Sequence, residues 1–218
     1  MMWDELCHKL ATDLRLDKCK LLSPKEKDLI IELFIKYVNI LALKYRDIGN
    51  CDLFEVEIDT GYAKPVTTKM RPAPYHLKEG LWNQIICWLK QEVIEESNSN
   101  WGSAMQPVPK PGGNTRWCVD FRALNKITKT QLQPVANLQD KLHSLMAGRW
   151  PVKYYTTLDL SEAFHSLSLE PDSREKTTFL TEYGAFKFKK LPFGLSISPL
   201  AFSHVIGALE HGLNSKDP

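Results

Sequence analysis

The chain has 218 residues, 43% of them hydrophobic, 25% charged and 10% aromatic, and a formal net charge of +2. Such a composition buries a substantial core in one large domain or two small ones and excludes a disordered segment. The near-neutral balance excludes a global basic field, so any nucleic-acid binding has to come from a local patch.

The opening run MMWDELCHKLATDLRLDK is charged throughout and lacks the apolar region of a secretory signal. No apolar run approaches the roughly 20 residues that cross a bilayer, so no membrane partner is expected. Cys7, Cys19, Cys51, Cys87 and Cys118 have no CxxC pairing. They predict free thiols in a reducing, cytoplasmic compartment rather than disulfides or zinc.

Ser23-Pro24-Lys25-Glu26 opens a helix: serine caps, proline suits the first helical position, and glutamate reaches back to the cap. Ile30, Phe34, Tyr37, Val38 and Leu41 continue it as one apolar stripe. Asp47 to Pro74 reads as an extended arm, with the strand-like run LFEVEID and Pro65, Pro72 and Pro74. Helical spacing returns from Leu77 to Val93 through Leu81, Ile85, Trp88 and Leu89. SAMQPVPK and TRWCVDFRAL flank Pro111-Gly112-Gly113-Asn114 as a hairpin. A helix is predicted from Val135 to Met146 and a strand from Tyr154 to Leu160. A second hairpin joins TTFLT to AFKFKK, with Phe186 and Phe188 on one face and Lys187 and Lys189 on the other. Pro199 to Leu209 closes the chain as a helix. This order predicts an α+β fold with a mainly antiparallel sheet.

Asp159 ends the predicted strand in TTLDLSEAF, ahead of a tight turn and the aromatic Phe164. An aspartate there usually caps a turn. Phosphoryl transfer between nucleotides, however, uses divalent metals held by carboxylates on a rigid sheet. Met105 to Gln131 sets Lys110, Arg116, Arg122, Lys126 and Lys129 against Asp120 alone, interleaved with Trp117 and Phe121. Such a run is either a solvated face or a nucleic-acid contact, and the aromatics favour contact. The six histidines, including His165 and His204, have no metal-ligand spacing and read as structural or surface residues.

RWCVDFRALNKIT, TTLDLSEAF and LPFGLSISPLAF, in this order, resemble the reverse transcriptase of Gypsy-type LTR retrotransposons. The likeness extends upstream through FEVEIDTGYAKPV and EVIEESNSNWGSAMQPVPKPGG, and so covers about Cys51 to Leu209. It implies a right-hand polymerase fold with fingers and an incomplete palm. The segments would be 1–50 as an N-terminal helical region, 51–76 as the proline-containing arm, 77–150 as fingers and 151–218 as partial palm. The implied activity is RNA-directed DNA polymerisation. Its partners would be an RNA or DNA primer–template and deoxynucleoside triphosphates, and its cofactor two Mg²⁺ ions.

By the same resemblance Asp159 is a catalytic metal ligand, joined by the backbone carbonyl of Leu160. Lys110 and Arg116 hold the incoming triphosphate, Phe164 walls off a 2′-hydroxyl, and Phe193 and Gly194 line the nucleotide pocket. Asp120 and Arg122 lie near the template. The chain departs from the family pattern at Thr115, where tryptophan is common, at Phe164, where tyrosine is usual, and at Glu162. It contains no Tyr-x-Asp-Asp motif, which carries the family's other two metal carboxylates.

A lone carboxylate cannot clamp two cations about 4 Å apart against their repulsion. The 218 residues alone are therefore expected to be inactive, completed by a palm and thumb segment or another chain. The alternative is a non-catalytic nucleic-acid-binding or protein-interaction module derived from a retroelement. Either would reside in the cytoplasm or within retrotransposon particles.

Overall fold

The computed structural model describes residues 3–42, 48–111, 113, 115–129 and 159–214. The chain divides into two compact units, Met1–Asp47 and Ile48–Pro218.

The first unit pairs α1 (Trp3–Asp13) with α2 (Pro24–Lys36). Its α2 begins as its sequence predicts. Ser23 is extended, its Oγ accepts from the Glu26 N–H at 3.4 Å, and Glu26 Oε2 accepts from the Ser23 N–H at 2.7 Å. The α-helix stops at Lys36, earlier than the apolar stripe suggests, and a short 3₁₀ turn, Val38–Ile40, follows. No α2 side chain is buried, and Leu29 and Leu33 stay 64% and 54% exposed.

The second unit is built on a five-stranded sheet, ordered β2 (Ile94–Glu96), β7 (Gly184–Phe188), β6 (Phe179–Thr181), β3 (Ser103–Pro109), β4 (Thr115–Asp120). Both predicted hairpins form: β3 pairs antiparallel with β4, and β6 with β7. They are joined by a parallel pairing of β3 with β6, Ser103 opposite Phe179 and Ala104 opposite Leu180. The alternation in β7 holds, since Phe186 and Phe188 are buried while Lys187 on the other face pairs with Glu175 and Glu95. Helix α3 (Lys78–Lys90) buries Leu81 and Ile85 in the core with Val93, Phe121, Leu124, Phe179 and Leu191. Burying each such side chain is worth about 1.5–3 kcal/mol. Among the described residues the other α-helices of this unit are the one-turn α4 (Arg122–Asn125), α5 (Pro171–Lys176) and the closing α6 (Ser198–Asn214).

The arm begins as β1 (Cys51–Val56), which pairs in parallel with β5 (Leu167–Leu169). Beyond β1 the arm is extended and tied to the unit. The Ile58 N–H donates to Ser173 Oγ at 2.8 Å, and Lys176 Nζ donates to the Ile58 carbonyl at 2.6 Å. Further on, Gly102 bonds Val66 and Thr68 through its backbone. A Cβ on Gly102 would come within 2.9 Å of Leu180 Cδ1 and 3.1 Å of Thr67 Cγ2, so a larger residue there would push these side chains aside. The predicted helix Val135–Met146 lies outside the described residues, as does the predicted strand up to residue 158; Asp159 and Leu160 belong to no strand.

Candidate functional site

The β3–β4 hairpin sorts its side chains by face. Trp117 is buried, part of the core under α3. Arg116 and Cys118, with intervening position 117 between them, share the other face. Burial pushes the Cys118 thiol up, and the positive charges of Arg116 and Lys110 oppose it. Both cations thus lie on one side of the hairpin within electrostatic reach of the same sulfur. Both are exposed, so they are available to an anion.

The hairpin's other end carries Asp120 opposite Ala104. At about 3.4 Å per residue, Asp120 stands about 14 Å along the strand from Arg116. Arg122 grips Asp120 in a fork: Nε donates to Oδ1 at 2.8 Å and Nη2 to Oδ2 at 2.6 Å. The Arg122 N–H adds a bond to Oδ1 at 3.1 Å, and Gln106 Nε2 reaches Oδ2 at 3.4 Å. The Arg122 guanidinium holds the Asp120 carboxyl below its usual range despite partial burial, and Arg71 contributes to the same field. Asp120 oxygens are engaged within the protein. The Arg122 side chain, 82% exposed, is the group that faces solvent.

Glu162 takes a left-handed conformation, φ 48° and ψ 43°, and turns the chain into the 3₁₀ segment Ala163–Ser166. That turn presents Phe164 edge-on to Phe193, ring centroids 4.9 Å apart, and to Phe202 at 5.7 Å. Leu191 and Pro192 are fully buried and anchor the next turn, which leaves Phe193 53% exposed. Gly194 follows at φ +94°, where a side chain would be strained. Its carbonyl accepts from Asn125 Nδ2 at 2.8 Å, and Asn125 Oδ1 accepts from the Ser196 N–H at 2.9 Å. Asn125 therefore clamps the Phe193–Gly194 turn to the end of β4. Sequence reasoning passed over Asn125, whose only signal was its place inside RALNK.

The structure brings Phe164, Phe193, Gly194 and the β4 end together, and leaves Lys110 and Arg116 at the hairpin's far end. His165 is buried behind this group, its ring edge-on to Phe193 at 5.6 Å and its Nδ1 3.2 Å from Glu162 Oε2.

Asp159 and Leu160 are exposed just before the Glu162 turn. A free carboxylate oxygen is the hard donor that divalent magnesium prefers. Among the described residues no three His, Cys, Asp or Glu side chains gather to hold a metal ion. The exposed Asp159 carboxylate could supply one such donor.

Three comparisons bear on this arrangement. The family described as Reverse transcriptase (RNA-dependent DNA polymerase) matches residues 108–217. The retrovirus-related Pol polyprotein from transposon 412 of Drosophila melanogaster is 31% identical over 177 residues, covering 78% of this chain and 14% of the relative. The Pro-Pol polyprotein of simian foamy virus type 3 (strain LK3) is 32% identical over 192 residues, 87% of this chain and 16% of the relative. The chain thus spans about one seventh of the length of these relatives.

The crystal structure of the prototype foamy virus protease–reverse transcriptase superposes with a TM-score of 0.77 at 26% identity, covering 97% of this chain and 27% of that one. A foamy viral protease–reverse transcriptase solved with double-stranded DNA gives 0.76 at 25% identity, covering 95% and 34%. The same kind of protein solved with an RNA/DNA hybrid gives 0.79 at 24% identity, covering 97% and 27%, a likeness of fold. The chain belongs to the reverse transcriptase family, as a reverse transcriptase domain of a retroelement polyprotein.

Proposed function

We propose that this domain is the fingers, 77–150, and part of the palm, 151–218, of a Gypsy-type RNA-directed DNA polymerase. It would extend a DNA 3′ end on a primer–template with deoxynucleoside triphosphates. The observation that carries this reading is the clamp of Asn125 on the Phe193–Gly194 turn with Phe164 edge-on above it. The clamp and the ring contact draw together three separate stretches of sequence.

In this reading Lys110 offers a point charge and Arg116 a planar fork to the triphosphate. Their distance from the pocket implies that the hairpin tip bends toward it when nucleotide binds. Phe164 keeps the bulk that would collide with a 2′-hydroxyl, so deoxynucleotides are favoured. Arg122, oriented by Asp120, faces the template backbone. Asp159 and the Leu160 carbonyl would hold a divalent metal. Such a metal, when bound, favours the ionised 3′-hydroxyl and neutralises charge on the phosphates.

The 218 residues by themselves are expected to bind without extending, because Asp159 is one carboxylate and the Tyr-x-Asp-Asp pair is not among them. Template-dependent extension by the purified chain, abolished in Asp159→Ala, would overturn that part. Binding is tested by anisotropy of a blunt primer–template duplex at several salt concentrations. We expect affinity to fall with salt, and the log–log slope to drop by about 2 in Arg116→Ala/Lys126→Ala. Salt-insensitive affinity unchanged by the double substitution would remove the reading.

A further inference from the structure

Helix α2 is apolar on two sides. Ile30, Ile31, Phe34 and Ile35 form a partly buried side. At 3.6 residues per turn, Leu29 and Leu33 stand about 150° round the helix from it, and they are 64% and 54% exposed. A surface helix that serves one neighbour carries a single apolar stripe, so the second stripe on α2 asks for a second neighbour.

That second stripe has the order of a seam. Glu26, Leu29, Leu33 and Lys36 follow at intervals of three, four and three, the alternating core positions of a heptad. All four are exposed. We propose that α2 docks antiparallel on α2 of a second copy of this chain, with the two-fold axis passing between Leu29 and Leu33.

The charges at the ends of the seam select that occupant. Read backwards, the order glutamate, leucine, leucine, lysine becomes lysine, leucine, leucine, glutamate, so the face is complementary to itself under a two-fold rotation. Each Leu29 then meets Leu33 of the second copy, and each Glu26 meets Lys36 of the second copy. A parallel pairing would set Glu26 on Glu26 and Lys36 on Lys36, like charge on like. A membrane would meet a carboxylate at one end of the seam, and a purely apolar peptide would leave both charges unmatched.

The charged groups are free to act in this way. The Ser23 N–H and hydroxyl both donate to Glu26 Oε2, which leaves Oε1 for a cation. Lys36 Nζ lies over the Tyr37 ring, 5.5 Å from its centroid, and keeps its N–H donors for a carboxylate. Outside the helix, Leu21 is 86% and Ile40 80% exposed. The same register brings Leu21 of one copy toward Ile40 of the other. One helix face is far smaller than the roughly 800 Å² each partner gives a standard interface, so the pair is weak, with a dissociation constant on the order of 100 µM.

This pairing is read without nucleic acid, so it stands or falls apart from the polymerase reading. Sedimentation equilibrium of the 218-residue chain, from about 10 µM to about 500 µM, should show a monomer turning into a dimer. Leu29→Ala/Leu33→Ala should weaken the dimer about tenfold or more. Both side chains are exposed, so the variant should fold, which circular dichroism checks. Glu26→Lys and Lys36→Glu should each stay monomeric alone, while their equimolar mixture should form the dimer again. Glu26→Lys also breaks the capping box, but a frayed α2 would not be rescued by mixing.

A monomer over the whole range overturns the proposal. A dimer that the leucine double substitution leaves unchanged overturns it too, and places the contact elsewhere on the chain. A mixture of the two charge variants that stays monomeric overturns the pairing of Glu26 with Lys36 and, with it, the antiparallel register. If the wild-type chain is monomeric while a thiol at Leu33→Cys is shielded from a labelling reagent, the face is covered within its own chain and the proposal falls.

Discussion

Helices α2 and α3 are each 13 residues long and are stabilised in opposite ways. Helix α2 has a complete capping box, proline in its first turn and Lys36 in its last, yet buries no side chain. Helix α3 starts without a side-chain cap and carries Gly80 in its first turn, yet buries Leu81 and Ile85. Helix formation in water is marginal for such lengths, and a packed face contributes more than a cap. The helix with the best local signals is the one that buries no side chain.

The largest effect should come from Ile85→Ala in α3. Ile85 is fully buried, so the lost burial and the cavity should cost about 3 kcal/mol. Leu33→Ala in α2, at 54% exposure, should cost less than about 1 kcal/mol. Urea unfolding of the two variants checks this. Equal costs would break the comparison and reveal that the α2 face is covered in solution.

Gly80→Ala should repair the local weakness of α3. A Cβ there meets only Trp117 Nε1, at 3.9 Å, which is ordinary contact. The gain should be about 0.5–1 kcal/mol in thermal unfolding. A loss would mean that α3 leans on Trp117 more tightly than that distance allows.

The smallest effect belongs to the α2 cap. The Ser23 hydroxyl and then the Ser23 N–H hold the Glu26 carboxyl below its ordinary 4.5. A carboxyl lowered in the folded state stabilises above its unfolded value and loses that contribution as pH falls through the folded one. The Ser23 amide resonance, followed from about pH 6 to about pH 3, should therefore shift with a midpoint below 4.5 as α2 frays at its first turn. Ser23→Ala should produce the same fraying at neutral pH. A midpoint at or above 4.5 would show that the box is not formed in solution.

What the sequence revealed follows the same division. The α2 cap, the two hairpins, the core face of α3 and the alternation in β7 all rest on neighbours a few positions apart, so local spacing exposes them. Strands β2 and β5 are three residues each, too short for a period to register. The parallel pairings β1–β5 and β3–β6 unite distant residues, and nothing in either stretch names its partner. In the candidate site, motif order led to Phe164, Phe193 and Gly194. The Asn125 clamp and the engagement of Asp120 by Arg122 and Gln106 depend on tertiary geometry.

The long-range pairings also set a timetable for a nascent chain. Ser99 waits for Glu175, 76 positions later, and Ile58 for Ser173, 115 positions later. At about 5–20 residues per second of synthesis, those delays are on the order of 4–15 s and 6–23 s. The β3–β4 hairpin closes on itself early, while the other side of β3 and the whole of β1 wait with bare hydrogen-bonding edges. Such edges invite strands from neighbouring chains. On crowded polysomes translating one retroelement message, nearby copies offer the same strands, so the yield of folded protein should depend on ribosome spacing and on holdase chaperones.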